Sequence, residues 1–319
     1  MPLASVIMPN KNDGRWLRAS VASVLRQDFS DYELVIIDDN SSDDSLAVLR
    51  DLADSDHRIR VICSQQDLGV GQARNLGMEC AKGELISFLD ADDLMLPDTL
   101  RRQISAFDAA RRRNPGVQLM ATDAYLINER GERFSRYMPV EWWDRIEDRT
   151  GPMVWSMPFE MALQGTMVVA SESKLRFMPE WKVAEVPPFL HRAHVAGGAT
   201  YVGMPLVEVR LRLSSVTYNR SREILRSVRA SLQTIAAGTW DRPVLPSQVA
   251  DPRWSEIWAW KYGRLARSAT ANRHYLLAAA ASGLAFVANP GLTVMKLNQE
   301  RRRRKRQGRI ERKAAIRSR

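Results

Sequence analysis

The 319-residue sequence holds only two cysteines, Cys63 and Cys80, with neither a CxxC pair nor a metal-type spacing. A disulfide framework and a zinc knuckle are thereby excluded, and a reducing compartment fits best. Nor does any apolar stretch run uninterrupted for the roughly 20 residues that a membrane-spanning helix requires. The nearest approach is the charge-free segment 275–295, which Asn289-Pro290-Gly291 interrupts, leaving the alanine-rich run Tyr275 to Ala288. Such a run suits a packed or interfacial helix better than a spanning one. The run Leu3 to Met8 reads as a strand and lacks the basic segment and long apolar core of a secretory signal, so none is expected. The expectation is a cytoplasmic location, at most peripheral to the inner face of the cell membrane. No internal repeat is present. At 45% hydrophobic and 26% charged residues the composition is that of an ordinary globular chain, which excludes a disordered or fibrous protein.

What is present begins with a charge asymmetry. The formal charge is +10, yet residues 301–319 carry eleven Lys or Arg against the single acid Glu311, so residues 1–300 sum to zero. A fold that tracks a polyanion would carry its basic stripe on the fold itself, so nucleic acid is not the expected partner of the main body. The tail reads as a separate electrostatic module for anionic lipid or RNA. Placed after Tyr275–Ala288, it makes a two-signal peripheral anchor; a domain-capping helix with a solvated tail is the plainer alternative.

The first hundred residues alternate short apolar runs with helix-period stretches, the pattern of a parallel sheet built from crossover units. Strands are expected at Ala4–Met8, Glu33–Ile37, Arg60–Cys63 and Glu84–Leu89, and helices at Leu17–Leu25, Ser45–Ala53 and Gly71–Ala81, the second capped from Ser41, Ser42 or Asp43. Beyond these come a helix at Leu100–Arg113, strands at Val117–Ala121 and Val202–Leu213, and helices at Ser221–Ala237, Pro252–Ala271 and Tyr275–Ala288. The fold class is α/β, a Rossmann-like, mostly parallel sheet flanked by helices, with a C-terminal helical extension. The expected divisions are 1–100, 101–218, 219–297 and a basic tail at 298–319.

In such sheets the ligand lies beyond the carboxyl ends of the strands. Three polar clusters follow those ends: Pro9-Asn10-Lys11-Asn12-Asp13, Asp38-Asp39-Asn40-Ser41 and Asp90-Ala91-Asp92-Asp93. An Asp-x-Asp on a tight turn offers hard oxygen ligands to Mg²⁺ or Mn²⁺, while substrate phosphates complete the shell. The plainer alternative is that Asp92 and Asp93 cap the helix after Pro97.

Taken together, these clusters resemble glycosyltransferase family 2, with its GT-A fold. The resemblance runs through Val6-Ile7-Met8-Pro9, Ser23-Val24-Leu25-Arg26-Gln27, Glu33 to Asp43, Leu68-Gly69 to Asn75, and Gly83-Glu84 through Asp93. It implies that Pro9, Asn10, Asp39 and Arg74 surround the nucleotide base, that Asp90 lies near the ribose, and that Asp92 holds Mg²⁺ or Mn²⁺. The metal would bridge the phosphates of the donor. A surface salt bridge on its own helix is the alternative for Arg74, and a cap for the Ser45 helix is the alternative for Asp39. The loop Pro9-Asn10-Lys11-Asn12 departs from the family, which has a small or hydroxyl residue after the proline and an aromatic before the asparagine.

Inverting transfer needs one general base for the acceptor hydroxyl. The family supplies it from a Glu-Asp pair ahead of a helix, followed by a Gly and a strand ending in Tyr-Arg. Here Glu185-Val186, then Gly197-Gly198 and Val209-Arg210, match that region with Val186 in place of the Asp. The resemblance therefore implies Glu185 as the base, with Glu180 in reserve. His191 and His194 read as ordinary packing or surface residues. Trp142, Trp143, Trp155 and Trp181 fall where an acceptor sugar would dock, although core filling serves equally for any one of them. Trp254 and Trp258 share a helix face suited to a membrane boundary.

The implied activity is metal-dependent sugar transfer from a nucleotide diphosphate, a UDP-sugar, to a saccharide or lipid-linked saccharide hydroxyl in building a surface polysaccharide. A different enzyme on a similar nucleotide-binding half competes with it. The dinucleotide-dependent form of that reading lacks the Gly-x-Gly-x-x-Gly that should follow the first strand. The remaining alternative is a catalytically impaired membrane or nucleic-acid adaptor acting through the tail.

Overall fold

The computed structural model describes residues 1–136, 167–183, 185–195, 198–213, 221–237, 245–252, 266–267, 269–273 and 275–288. Trp142, Trp143, Trp155, Trp254, Trp258, Gly197, the side chains of His191 and His194, and the basic tail lie outside them, as does most of the helix expected over Pro252–Ala271. The chain divides into two compact units, one of residues Met1–Ile127, Arg133–Arg210 and Ser227–Val249, the other of Asn128–Glu132, Leu211–Arg226 and Ala250–Arg319.

The first unit is built on a mixed sheet. Its strands are β1 (Ala4–Asn10), β2 (Tyr32–Asp38), β3 (Ile59–Cys63), β4 (Leu85–Phe88), β5 (Leu94–Met95), β6 (Leu119–Ile127), β7 (Arg133–Arg136), β8 (Met167–Ala170) and β9 (Ala199–Arg210). They are ordered β3-β2-β1-β4-β8-β6-β9-β5, with β7 paired to β6. The first four are parallel, β8 is antiparallel to both β4 and β6, and β9 runs parallel to β6. Between them lie α1 (Gly14–Leu25), α2 (Ser45–Ser55), α3 (Val70–Cys80), α4 (Thr99–Arg113) and α5 (Val186–Val195). The remaining helices are α6 (Ser221–Ala237) and α7 (Tyr275–Ala288).

Both β1 and β2 are buried along their whole length, as central strands covered on two faces must be. The two-residue period of a strand divides their side chains between layers. Val6, Met8, Leu34 and Ile36 pack with Leu17, Val21, Val24 and Leu49 of α1 and α2. Ile7, Ile86 and Phe88 pack instead with Met78 of α3, Phe177, and Val186 and Phe189 of α5. The turn before β4 needs a glycine for space: a Cβ on Gly83 would lie 2.6 Å from the backbone of Ala4 and Ser5.

Several expected boundaries move. The N-cap position of α2 is Asp44, one past the expected residues and without a side-chain cap bond. Asp43 before it accepts from Ser45 N at Oδ1 and from Gly14 N at Oδ2, so that one carboxylate holds the starts of both α1 and α2. Strand β6 continues past Ala121 to Ile127, and β9 starts at Ala199 and stops at Arg210. Register along the β6–β9 pair shifts around Asp123, opposite Pro205, where proline has no N–H to give the ladder. The short strands β5, β7 and β8 were not anticipated, because two to four residues carry too little periodicity to register as strands. Trp181 is buried against Ala230 and Val249, so its indole fills the core and is not a platform for a sugar ring.

At the edge opposite the polar clusters, Glu33 ties the sheet together. Its carboxylate accepts from Ser5 Oγ (2.7 Å), Arg60 Nη1 (2.6 Å) and the Lys82 backbone N–H (2.6 Å). Burial pushes its pKa up, but the bonds from Arg60, Ser5 and Lys82 outweigh this and hold it below the ordinary glutamate value. The stabilisation is therefore complete above the ordinary value and is lost as pH falls through the lowered one. Urea midpoints measured across the acid range should fall less steeply in Glu33→Gln than in the wild type, with the variant less stable at neutral pH.

Candidate active site

The acidic turn 90–93 follows β4, and α1 holds its backbone in place. Ser20 Oγ donates to the Asp93 carbonyl at 2.7 Å, and Ser23 Oγ accepts from Met95 N at 3.0 Å. Gln27 Nε2 donates to the Leu96 carbonyl at 2.7 Å while its Oε1 accepts from Leu100 N at 2.9 Å. Ser20 and Ser23 lie on one side of α1 and Gln27 just beyond its C-cap, Arg26, so the C-terminal end of α1 and the residue after it clamp the turn and the start of α4. From the other side, Arg210 at the end of β9 donates its backbone N–H to Asp93 Oδ1 (2.8 Å) and its Nε to the Asp92 carbonyl (2.8 Å). Its guanidinium lies 4.3 Å above the Trp16 ring.

Held this way, Asp90, Asp92 and Asp93 each offer a carboxylate oxygen within 4.8 Å of the others. Asp93 is buried and the other two are half-buried. All-oxygen donors of this kind fit Mg²⁺ or Mn²⁺, with open positions left for phosphate oxygens. Capping does not account for the pair, since the N-cap position of α4 is Asp98.

Beside the turn lies a buried cation. Arg74 of α3 has 0% relative exposure. Its Nη2 donates to Asp90 Oδ1 at 2.7 Å and its Nη1 to Glu185 Oε1 at 2.5 Å, with the Phe177 ring 5.4 Å from the guanidinium. Glu185 is itself 1% exposed, just ahead of α5. Burial alone would lower the Arg74 pKa, but the charges of Asp90 and Glu185 more than offset it and the shift is upward. Gly71, one turn earlier on α3, makes room for this pair: a Cβ there would sit 3.3 Å from Glu185 Cγ and 3.3 Å from Phe177 Cβ.

The third cluster is at the ends of β1 and β2. Pro9 and Asn10 are buried strand residues, and Asn10 Nδ2 donates to Asp38 Oδ1 at 2.7 Å. Asp39 receives the backbone N–H groups of Leu68 (2.6 Å) and Gly69 (2.9 Å), anchoring the loop that leads into α3. It does not cap α2. Lys11 Nζ pairs with Asp67 at 2.7 Å and lies 4.0 Å from Asp39. Of the residues singled out from the sequence, Arg74, Asp90, Asp92 and Glu185 share one connected site, and Pro9, Asn10 and Asp39 line the neighbouring strand ends. Glu180 is exposed. Sequence reading missed the parts played by Ser20, Ser23, Gln27 and Trp16. The available signal was the pair of serines, Ser20 and Ser23, inside an otherwise amphipathic helix.

Residues 5–154, just under half of the chain, match the profile of Glycosyl transferase family 2. It is 38% identical over 103 residues to the Escherichia coli enzyme named UDP-Glc:alpha-D-GlcNAc-diphosphoundecaprenol beta-1,3-glucosyltransferase WfgD, a match covering 32% of this chain and 40% of that one. The matched stretch spans about two fifths of the length of such curated relatives. Among solved structures, Staphylococcus aureus TarS 1-349 in complex with UDP-GlcNAc superposes with a TM-score of 0.57 at 18% identity, covering 92% of this chain and 83% of that one. The mannosyltransferase PcManGT from Pyrobaculum calidifontis in complex with GDP-Man and Mn²⁺ gives 0.53 at 17% identity, covering 94% and 80%. The fold is therefore GT-A.

Removing one partner of a buried ion pair strands the others. Arg74→Ala should cost about 3–5 kcal/mol of unfolding free energy, because Glu185 stays buried without its counter-charge. Urea denaturation of this variant beside Arg74→Lys checks it, the lysine recovering part of the loss.

Proposed function

We propose that the chain transfers a sugar from a metal-bound nucleotide diphosphate, a UDP-sugar, to the hydroxyl of a saccharide acceptor carried on a lipid, with inversion at the sugar carbon. The observation that carries the reading is the clamped cluster of Asp90, Asp92 and Asp93 at the carboxyl ends of the strands, next to the Arg74–Glu185 pair. The match to the family profile supports it, as do the UDP-GlcNAc and GDP-Man bound by the two similar structures and the UDP-Glc donor and diphosphoundecaprenol acceptor in the name of WfgD.

In this reading residues 1–100 take the donor and 101–218 the acceptor. Asp92 holds Mg²⁺ or Mn²⁺, with Asp90 and Asp93 beside it; when bound, the ion neutralises the charge that grows on the departing diphosphate. Pro9, Asn10 and Asp39 face the base. Each Asp39 oxygen accepts one backbone N–H, which leaves acceptor capacity on both for a base N–H. Arg74 orients Asp90 toward the ribose. Glu185 takes the acceptor proton as the new glycosidic bond forms and the bond to the diphosphate breaks. To do so it must share its carboxylate with Arg74, using the oxygen that does not receive Nη1.

A second reading is favoured by the burial of Glu185 and by Val186 in the position where the family carries Asp. There Glu185 is only the counter-ion of Arg74, and the chain is a catalytically impaired adaptor. Release of UDP from UDP-sugars in the presence of saccharide and polyprenol-linked saccharide acceptors separates the two. Glu185→Gln should reduce turnover about 10²–10⁴-fold while donor binding persists, and chelation of divalent ions should stop the reaction until Mn²⁺ is restored. No UDP release by the wild type with any acceptor would establish the adaptor reading, and release equal in wild type and Glu185→Gln would remove Glu185 from the role of base.

A further inference from the structure

The helix α7, in the second unit, is turned inside out for a helix of a water-exposed protein. It runs over Tyr275–Ala288 without a charged residue. Among its described side chains the buried ones are small, Ala278 and Ala281, while Tyr275, Leu276, Leu277 and Leu284 are 65%, 91%, 41% and 45% exposed. The other described exposed positions are alanines and Ser282, whose hydroxyl is satisfied within the helix by the Ala278 carbonyl at 2.8 Å. An amphipathic helix normally puts its large apolar residues inward and its polar ones outward. Here Leu276, Ala280 and Leu284 follow at i, i+4 and i+8 and form one outward apolar ridge.

We propose that this ridge lies in the interfacial layer of an anionic lipid bilayer. The helix cannot cross one: at about 1.5 Å per residue it is about 21 Å long, against about 30 Å of hydrocarbon, and among the described residues no helix is long and apolar enough to span. What selects a bilayer over another apolar partner is charge. The chain beyond the helix carries eleven Lys or Arg against one acid in residues 301–319, whereas residues 1–300 are neutral in sum. An apolar face followed by a polybasic segment supplies the two signals that stable interfacial binding takes. A second copy of the chain seated on the same ridge would bring two such segments together, and like charges would oppose it. The inference rests on α7 and the tail alone and is independent of the catalytic reading.

The test is co-sedimentation of the full chain with phosphatidylcholine vesicles, with and without phosphatidylglycerol, at low and high salt. Wild type should bind the anionic vesicles, more weakly at high salt, and Leu276→Ser/Leu284→Ser should bind about tenfold or more weakly. Both positions are exposed, so circular dichroism should show the variant folded. An environment-sensitive fluorophore on Leu276→Cys should shift to the blue on anionic vesicles. Binding that is unchanged by the double substitution would overturn the proposal, leaving the basic tail as the sole attachment. Absence of vesicle binding would overturn it too, and concentration-dependent dimerisation lost in the double variant would name a second copy as the occupant.

Discussion

A guanidinium with no access to water has to be matched by carboxylates, and around Arg74 this requirement organises the site. Its two partners arrive from distant parts of the chain, Asp90 from the turn after β4 and Glu185 from the lead into α5. Each is held by its own element: the Asp turn by α1 and Arg210, Glu185 by the core that Val186 and Phe189 enter. The charge balance at Arg74 therefore couples the turn after β4 to the α5 segment. It also explains why α3 carries a glycine at 71, where a methyl group would press on both Glu185 and Phe177.

The N-terminal half was legible in the sequence because its elements are long and its two periods are clean. Buried parallel strands read as apolar runs, and the helices between them show their apolar faces at helical spacing. The acid cluster was legible for the same reason, since a strand with a known direction places whatever follows it at the ligand edge. The partners of those acids were not. Nothing local marks Arg74 as the link between residues 16 and 111 positions away, and its two alternatives in sequence, a base contact or a salt bridge on its own helix, both looked outward. Similarly, Ser20 and Gln27 are unremarkable residues until the backbone groups they satisfy are in place. Trp181 showed the opposite failure, because an indole reads alike in sequence whether it faces a sugar or a core.

The same argument separates the ends of the chain. In the first unit most of the large apolar side chains are buried around the sheet, whereas among the described side chains of α7 the leucines are exposed and the buried residues are alanines. Sequence alone allowed packed and interfacial readings of that helix, since periodicity is weak when every residue is apolar. The exposed leucines are the observation on which the interfacial proposal rests.

The central claim is that the strand ends form a metal-dependent nucleotide site with Asp92 as a ligand. Calorimetric titration of UDP and GDP, with and without Mn²⁺, into wild type and Asp92→Ala measures it directly. The account predicts Mn²⁺-dependent binding in the wild type and its loss in a folded variant. Failure of the wild type to bind either nucleotide in the presence of Mn²⁺, or binding indifferent to both the metal and Asp92, would contradict it.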